Sequence, residues 1–244
     1  MKYKNNVYFR VFGKYALFTD PLTKIGGEKF SYEIPTYSAL KGVLQSIYWK
    51  PTFIWIIDEV KIMKPIQTQS VGVRPIHYHD NKNDLSVYTY LYDVEYLVKA
   101  HFEWAENRPE LKCDRNETKH WLIAKRMIEK GGRRDIFLGT RECQAYVEPC
   151  DYENEQSAFY SNINERCFGV MVHGITYADE QTDEKYKGKM TVRLWRPVMK
   201  KGIVCFDRPD SKNMIIKEIR TQDIKKFIVG QNFSCVEDLD FLEE

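Results

Sequence analysis

Apolar and polar positions alternate over residues 7–18 and, over a longer span, at 87–102, while residues 53–63 form a β-branched and aromatic run. Side chains on a strand change face at every residue, so these segments predict strands. The longest places Tyr88, Tyr90, Tyr92, Val94, Tyr96 and Val98 on one face. Two other segments carry the helical period. Leu40, Val43, Leu44 and Ile47 share one side of a helix that Thr36 caps after Pro35 and Pro51 ends. Trp121, Leu122, Ile123, Ala124, Met127 and Ile128 follow a good N-cap, Asn116, and meet a stop at Gly131-Gly132. Residues 20–28 and 67–83 carry loop signals, and a Gly-rich basic turn at 131–139 leads to a strand near 142–148.

The predicted order is β-α-β-β-α-β, an α+β, ferredoxin-like (RRM-like) arrangement with two antiparallel helices on one face of a four-stranded antiparallel sheet. There the end of the first helix lies beside the start of the second. Tyr48 can therefore share a site with Lys119 and His120 despite their distance in sequence. The expected organisation is a ferredoxin-like domain over 1–150, a polar linker over 151–164 and a small β-rich domain over 165–244. The last has strand patterns near 166–177, 190–196 and 202–206, a polar loop at 179–189 and an acidic C-terminal tail.

A chain of 244 residues, 43% hydrophobic and 30% charged, can bury a full core in one or two domains. No apolar stretch has membrane-spanning length, and the first residues lead into a strand pattern rather than a signal peptide, so a cytoplasmic protein with no membrane partner is expected. The six cysteines are scattered without a Cys-x-x-Cys pair, which signals neither a zinc site nor a disulfide framework and leaves reduced thiols as the expectation. A net charge of +2 is too small to argue for nucleic acid. Its distribution says more: Lys and Arg outnumber Asp and Glu over 112–141, whereas 231–244 holds acids and no Lys or Arg.

The basic stretch contains the candidate chemistry. Lys119 and His120 fall in the first turn of the second helix, where unpaired N–H groups and the helix dipole attract a phosphate. The same dipole opposes a positive charge on His120, favouring a neutral imidazole that can take a proton. The plainer alternative is a surface Lys-His pair in a solvated turn. Asp, Glu and His form no cluster at metal-ligand spacing; His77-Tyr78-His79 comes nearest and reads as a loop feature, so no cofactor is expected.

Five stretches together resemble a known family: Tyr-Ala-Leu-Phe-Thr-Asp-Pro (15–21), Ser-Ile-Tyr-Trp-Lys-Pro (46–51), Met-Lys-Pro-Ile-Gln (63–67), Asp-Arg-Asn-Glu-Thr-Lys-His (114–120) and Gly-Gly-Arg-Arg-Asp-Ile-Phe-Leu-Gly (131–139). In these the chain is similar to the CRISPR-associated Cas5 proteins of subtype I-C, the Dvulg subtype, of the RAMP superfamily. The motifs stand in the family's order across nearly the whole first domain, and Val-Arg-Leu-Trp (192–195) extends the match into the second.

The resemblance implies a metal-independent endoribonuclease that cuts CRISPR precursor RNA within the repeat hairpin. It also implies that the protein stays on the guide's 5′ handle, with the other subunits of the type I-C interference complex as partners. The family's catalytic residues fall on Tyr48, Lys119 and His120, and its RNA-gripping Gly-rich loop on Gly131, Gly132, Arg133 and Arg134. Lys125 and Arg126 add basic side chains for the phosphates of an RNA stem. In such a reaction the ribose 2′-hydroxyl attacks its own 3′-phosphate, His120 is the leading acid or base, and Lys119 stabilises the growing charge. Tyr48 serves as an orienter, or as a base if nearby cations lower its pKa. Trp121 either stacks on an unpaired base or packs into the core. Three alternatives stay open: a non-catalytic guide-RNA-binding subunit, a scaffold that holds protein partners or duplex DNA, and, third, a metal-dependent nuclease, which loss of cleavage in EDTA would favour.

Overall fold

The computed structural model describes residues 5–76, 83–224 and 226–238. Its elements run β1 (Val7–Ala16), β2 (Lys29–Phe30), α1 (Tyr37–Ile47), β3 (Phe53–Ile62), β4 (Thr68–Val73), β5 (Ser86–Trp104), α2 (Glu117–Glu129), β6 (Ile136–Phe137) and β7 (Gln144–Glu148). Then follow β8 (Arg166–Cys167), β9 (Met171–Thr176), β10 (Lys189–Trp195), β11 (Val198–Lys200), β12 (Ile203–Cys205) and β13 (Ile215–Thr221). One large sheet has the order β6-β7-β1-β5-β3-β12-β11-β8, with β2 and β4 added on β5, and a second has the order β13-β10-β9. The fold is thus mixed α and β, with a large, mostly antiparallel sheet and few helices. Among the described residues no helix is long and apolar enough to cross a membrane.

The predicted periods place the core. Val7, Phe9 and Val11 alternate inward on β1, while α1 buries Tyr37, Leu40, Val43, Leu44 and Ile47 against β3. Helix α2 buries Ile123, Ala124 and Ile128 over β1 and β7. The capping is as the residues dictate: Thr36 Oγ1 accepts the Ala39 N–H at 3.2 Å, and Asn116 Oδ1 accepts the Lys119 N–H at 3.0 Å. The helix stop is a left-handed pair, Gly131 at φ 81° and Gly132 at φ 105°, and Gly132 N–H donates to the Met127 carbonyl at 2.8 Å. Tyr48 leaves α1 in an extended conformation, and its carbonyl accepts from the indole N–H of the fully buried Trp55 at 2.8 Å. The end of α1 is thereby fixed on β3.

Two expectations change. Residues 67–83, which read as loop, contain β4, paired antiparallel to β5 from Thr68 opposite Leu91 to Val73 opposite Ser86. Its side chains are largely exposed, so pairing rather than burial makes the strand and little apolar pattern records it. The Gly-rich turn contains β6, a short hairpin partner of β7. On β5 Tyr90, Val94, Tyr96 and Val98 are buried and Tyr92 is exposed, yet the Tyr15 ring meets both Tyr90 and Tyr92, at 5.4 and 5.7 Å, so Tyr92 keeps the predicted face. Residues 151–164 pack on the large sheet: Lys61 Nζ donates to the Glu155 carbonyl at 2.9 Å, and the buried Tyr160 hydroxyl accepts the Ile66 N–H at 2.8 Å.

Gly139 closes the turn at φ 93°, where an added Cβ would come within 2.0 Å of the Leu17 carbonyl oxygen. Gly139→Ala combines a disfavoured backbone with a clash against backbone, so a loss of more than about 2 kcal/mol is expected, read as a lower midpoint in denaturant unfolding.

Candidate active site

The end of α1 meets the start of α2 at Tyr48, Lys119 and His120. Tyr48 Oη lies 2.7 Å from His120 Nδ1, and His120 Nε2 lies 2.7 Å from the Asp114 carbonyl oxygen. A carbonyl only accepts, so Nε2 carries the hydrogen. In the neutral ring Nδ1 is then an acceptor, and the Tyr48 hydroxyl donates to it. Phe53, Phe102 and Trp104 enclose the imidazole edge-on, with ring centroids 5.2, 6.2 and 5.8 Å away. The fully buried Asp114 places Oδ2 3.5 Å from His120 Nε2. Its two carboxylate oxygens also accept from the Thr52 hydroxyl and the Val236 N–H.

Burial sets the proton affinities. It holds His120 below the ordinary histidine value of 6.5, helped by the Lys50 charge and opposed by the carbonyl and carboxylate of Asp114. It pushes the Tyr48 phenol well above 10, the Asp114 charge adds to the rise, and Arg133 pulls it back slightly. The nearby cation does not make Tyr48 a base. His120 is therefore the group that can accept a proton near neutral pH. The half-buried Lys119 has Nζ 3.1 Å from Glu237 Oε2, and Asn116 Nδ2 donates to Glu237 Oε1 at 2.6 Å. Asn116 and Lys119 together hold the Glu237 carboxyl below the usual carboxylate range.

The other expected site residues fall into two groups. Lys125 and Arg126 are exposed on α2 and line, with Lys119, a shallow cleft of about 480 Å³. Lys125 reaches over the Trp121 ring at 4.7 Å, and Trp121 itself is half-buried, its indole N–H donating to the Asn6 carbonyl at 2.8 Å. That is the core-packing alternative for Trp121. The backbone N–H groups of Arg133 and Arg134 both donate to the Ser46 carbonyl, at 3.2 and 3.1 Å, so the turn that Gly131 and Gly132 open sits just before Tyr48. The exposed side chains of Arg133 and Arg134 line a cleft of about 410 Å³ with Gln45 and Trp49. His77 and His79 lie outside the described residues. Among the described residues no group of three His, Cys, Asp or Glu is placed to hold a metal ion.

Three residues of the site carry no local signal. Asp114 stands in the basic stretch as an ordinary acid, Thr52 as a residue between helix and strand, and Glu237 in a polar tail. Their convergence depends on contacts across as many as 122 positions.

The chain is 28% identical over 211 residues to the CRISPR pre-crRNA endoribonuclease Cas5d of Mannheimia succiniciproducens, a match covering 76% of this chain and 92% of that protein. It is 30% identical over 154 residues to the protein of the same name from Thermus thermophilus, covering 59% of this chain and 64% of that protein. A crystal structure of a CRISPR-associated protein superposes with a TM-score of 0.71 at 38% identity, covering 87% of this chain and 96% of the other. A functionally uncharacterized protein from Streptococcus mutans gives a TM-score of 0.70 at 41% identity, with the same coverage of both chains. The family model described as CRISPR-associated protein (Cas_Cas5) matches residues 7–207, and the chain therefore belongs to the Cas5d family of CRISPR-associated proteins.

Proposed function

We propose that this protein is a CRISPR pre-crRNA endoribonuclease of subtype I-C, the activity for which its two Cas5d relatives are named. The observation that carries the reading is the hydrogen bond between Tyr48 Oη and His120 Nδ1, with Lys119 beside it at the N-terminus of α2. A proton acceptor, a hydroxyl and a cation at a helix N-terminus are what internal attack by a ribose 2′-hydroxyl needs. The 2′-oxygen bonds to the adjacent phosphorus as the bond to the 5′-oxygen breaks and that oxygen takes a proton from water, giving a 2′,3′-cyclic phosphate and a 5′-hydroxyl. Tyr48 accepts the 2′-hydroxyl proton while passing its own to His120 Nδ1, so the phenol stays neutral, as its raised pKa requires. Asp114 stabilises the imidazolium, and Lys119 faces the charge growing on the phosphorane. None of these steps calls for a metal ion, and the reaction is proposed as metal-independent.

Lys125, Arg126, Arg133 and Arg134 would hold the phosphates of the repeat hairpin and, after the cut, the guide's 5′ handle, in the cytoplasm and beside the other subunits of the type I-C complex. For the organisation we propose a ferredoxin-like unit over 1–150 and a small β-rich unit in 165–244, joined by 151–164. The strand order β7-β1-β5-β3 with α1 and α2 between the strands supports the first, and the β13-β10-β9 sheet supports the second.

The test is a labelled repeat RNA in EDTA, beside the same RNA with a single 2′-deoxy at the cut site. Cutting of the first alone is expected. No cutting of either, with binding intact, would leave a non-catalytic guide-RNA-binding or duplex-DNA-binding scaffold, a reading favoured by the complete burial of His120. Replacing Arg133 and Arg134 together by alanine is expected to weaken RNA binding at least about tenfold and to flatten its logarithmic salt slope by about 1.5 to 2 units, as loss of two phosphate contacts requires. Gel retardation across a salt series reads both. Equal binding losses in Lys119→Ala and His120→Ala would refute this separation of binding from chemistry.

A further inference from the structure

The C-terminal segment lies over the site. Phe233 and Cys235 pack with Leu111, Lys50 Nζ donates to the Ser234 carbonyl at 2.6 Å, and Val236, fully buried, donates its N–H to Asp114. Glu237 follows, its carboxylate held by Asn116 and Lys119 at the first turn of α2. That is where an RNA phosphate would sit if Lys119 is to face it. Beneath, His120 is fully buried and Tyr48 only 5% exposed. Val236 belongs to the same buried cluster as Tyr48, and in this arrangement neither Tyr48 nor His120 is open to RNA.

The fastening is a cysteine pair. Cys113 and Cys235, 122 positions apart, have Sγ atoms 2.7 Å from each other. Each immediately precedes one partner of the Asp114–Val236 hydrogen bond, so the sulfurs meet where the segment is tied to the site. Cys113 is exposed and Cys235 buried, which gives one thiol that meets an oxidant and one that resolves.

We propose that residues 233–237 form a strap that keeps RNA from Tyr48 and His120, and that a Cys113–Cys235 disulfide, formed by a peroxide, locks the strap shut. This rests on the nuclease reading for its consequence but not for its chemistry. The Cys113 thiolate attacks a peroxide oxygen, the O–O bond breaks and hydroxide leaves, giving a sulfenic acid. The Cys235 sulfur then displaces hydroxide from it. Two thiols and one hydrogen peroxide become one disulfide and two waters, and an added dithiol reverses the bond by exchange. With the strap free, an incoming phosphate displaces Glu237; with it locked, the open state is depleted and the rate falls in proportion.

The experiment uses the full chain, reduced with dithiothreitol or oxidised with hydrogen peroxide, the bond verified by mass spectrometry of non-reduced peptides. Two readouts are taken: cleavage of repeat RNA in EDTA, and the rate at which diethyl pyrocarbonate modifies His120 without RNA. Oxidation is expected to slow both at least about tenfold, dithiothreitol to restore both, and Cys113→Ser and Cys235→Ser to be indifferent to peroxide. Glu237→Gln in the reduced protein is expected to lower KM for the RNA, since it removes the charge competing for Lys119. If the reduced protein cuts nothing, the nuclease reading falls, while the His120 modification rates still decide the strap. A verified disulfide that leaves the His120 rate unchanged overturns the proposal, as does failure of the bond to form under peroxide.

Discussion

Replacing His120 by alanine is expected to slow repeat-RNA cleavage by about three orders of magnitude, the scale at which a positioned acid–base group contributes, while RNA binding changes little. The expectation follows from position. His120 Nδ1 is the acceptor of the Tyr48 hydroxyl, and burial keeps the ring neutral where a proton must be taken. No other histidine or carboxylate in the described site meets the Tyr48 hydroxyl. Because the ring is packed among Phe53, Phe102 and Trp104, alanine also leaves a cavity and an unpaired Tyr48 hydroxyl, at a cost of about 2–4 kcal/mol. Single-turnover cleavage with enzyme in excess, run well below the melting temperature of the variant, separates the lost proton acceptor from lost fold. Cleavage retained within tenfold in a folded His120→Ala protein would remove His120 from the chemistry.

Asp114→Asn is expected to shift the pH profile of cleavage toward acid and to lower its plateau about ten- to a hundredfold. The reaction needs a neutral imidazole, so the rate falls as pH drops through the His120 pKa, which lies below 6.5. The Asp114 carboxylate favours the imidazolium and holds that pKa up from where burial alone would leave it. Removing the charge therefore moves the acid limb lower still and weakens the base. The tautomer should survive, because the Nε2 hydrogen is held by the Asp114 backbone carbonyl rather than by the side chain. An unchanged profile and plateau in Asp114→Asn would confine the side chain to a structural task, that of bonding Thr52 and Val236. The lowered His120 pKa has a second consequence. As pH falls below about 6.5 the unfolded chain binds the proton before the folded one does, so His120 contributes a loss of stability from there down to its folded-state pKa.

Much of the local structure was legible in the residues. Thr36 and Asn116 accept the N–H groups their cap positions predict, Gly131-Gly132 ends α2 in the left-handed region, and the alternating run of 7–18 becomes β1. These are effects of neighbours within a turn or two, so the order of types suffices to read them. The same holds for Lys119 and His120 in one helical turn, and for the basic bias around them. Where burial did not write the pattern, reading failed: β4 is a strand because β5 offers it a partner, and its exposed side chains record nothing.

By itself, then, the sequence determined the two helices, their caps and stops, the main strands, and the placing of a lysine and a histidine at a helix start. Only the folded chain shows that the predicted meeting of Tyr48 with that histidine is a direct hydrogen bond, that Asp114 stands behind the ring, and that Glu237 and the Cys113–Cys235 pair lie across the site. The physical reason is range. Capping, periodicity and turn geometry act over a few residues and leave their mark on composition, whereas contacts across 72 or 122 positions arise only when the sheet brings distant segments together, and no local pattern encodes them.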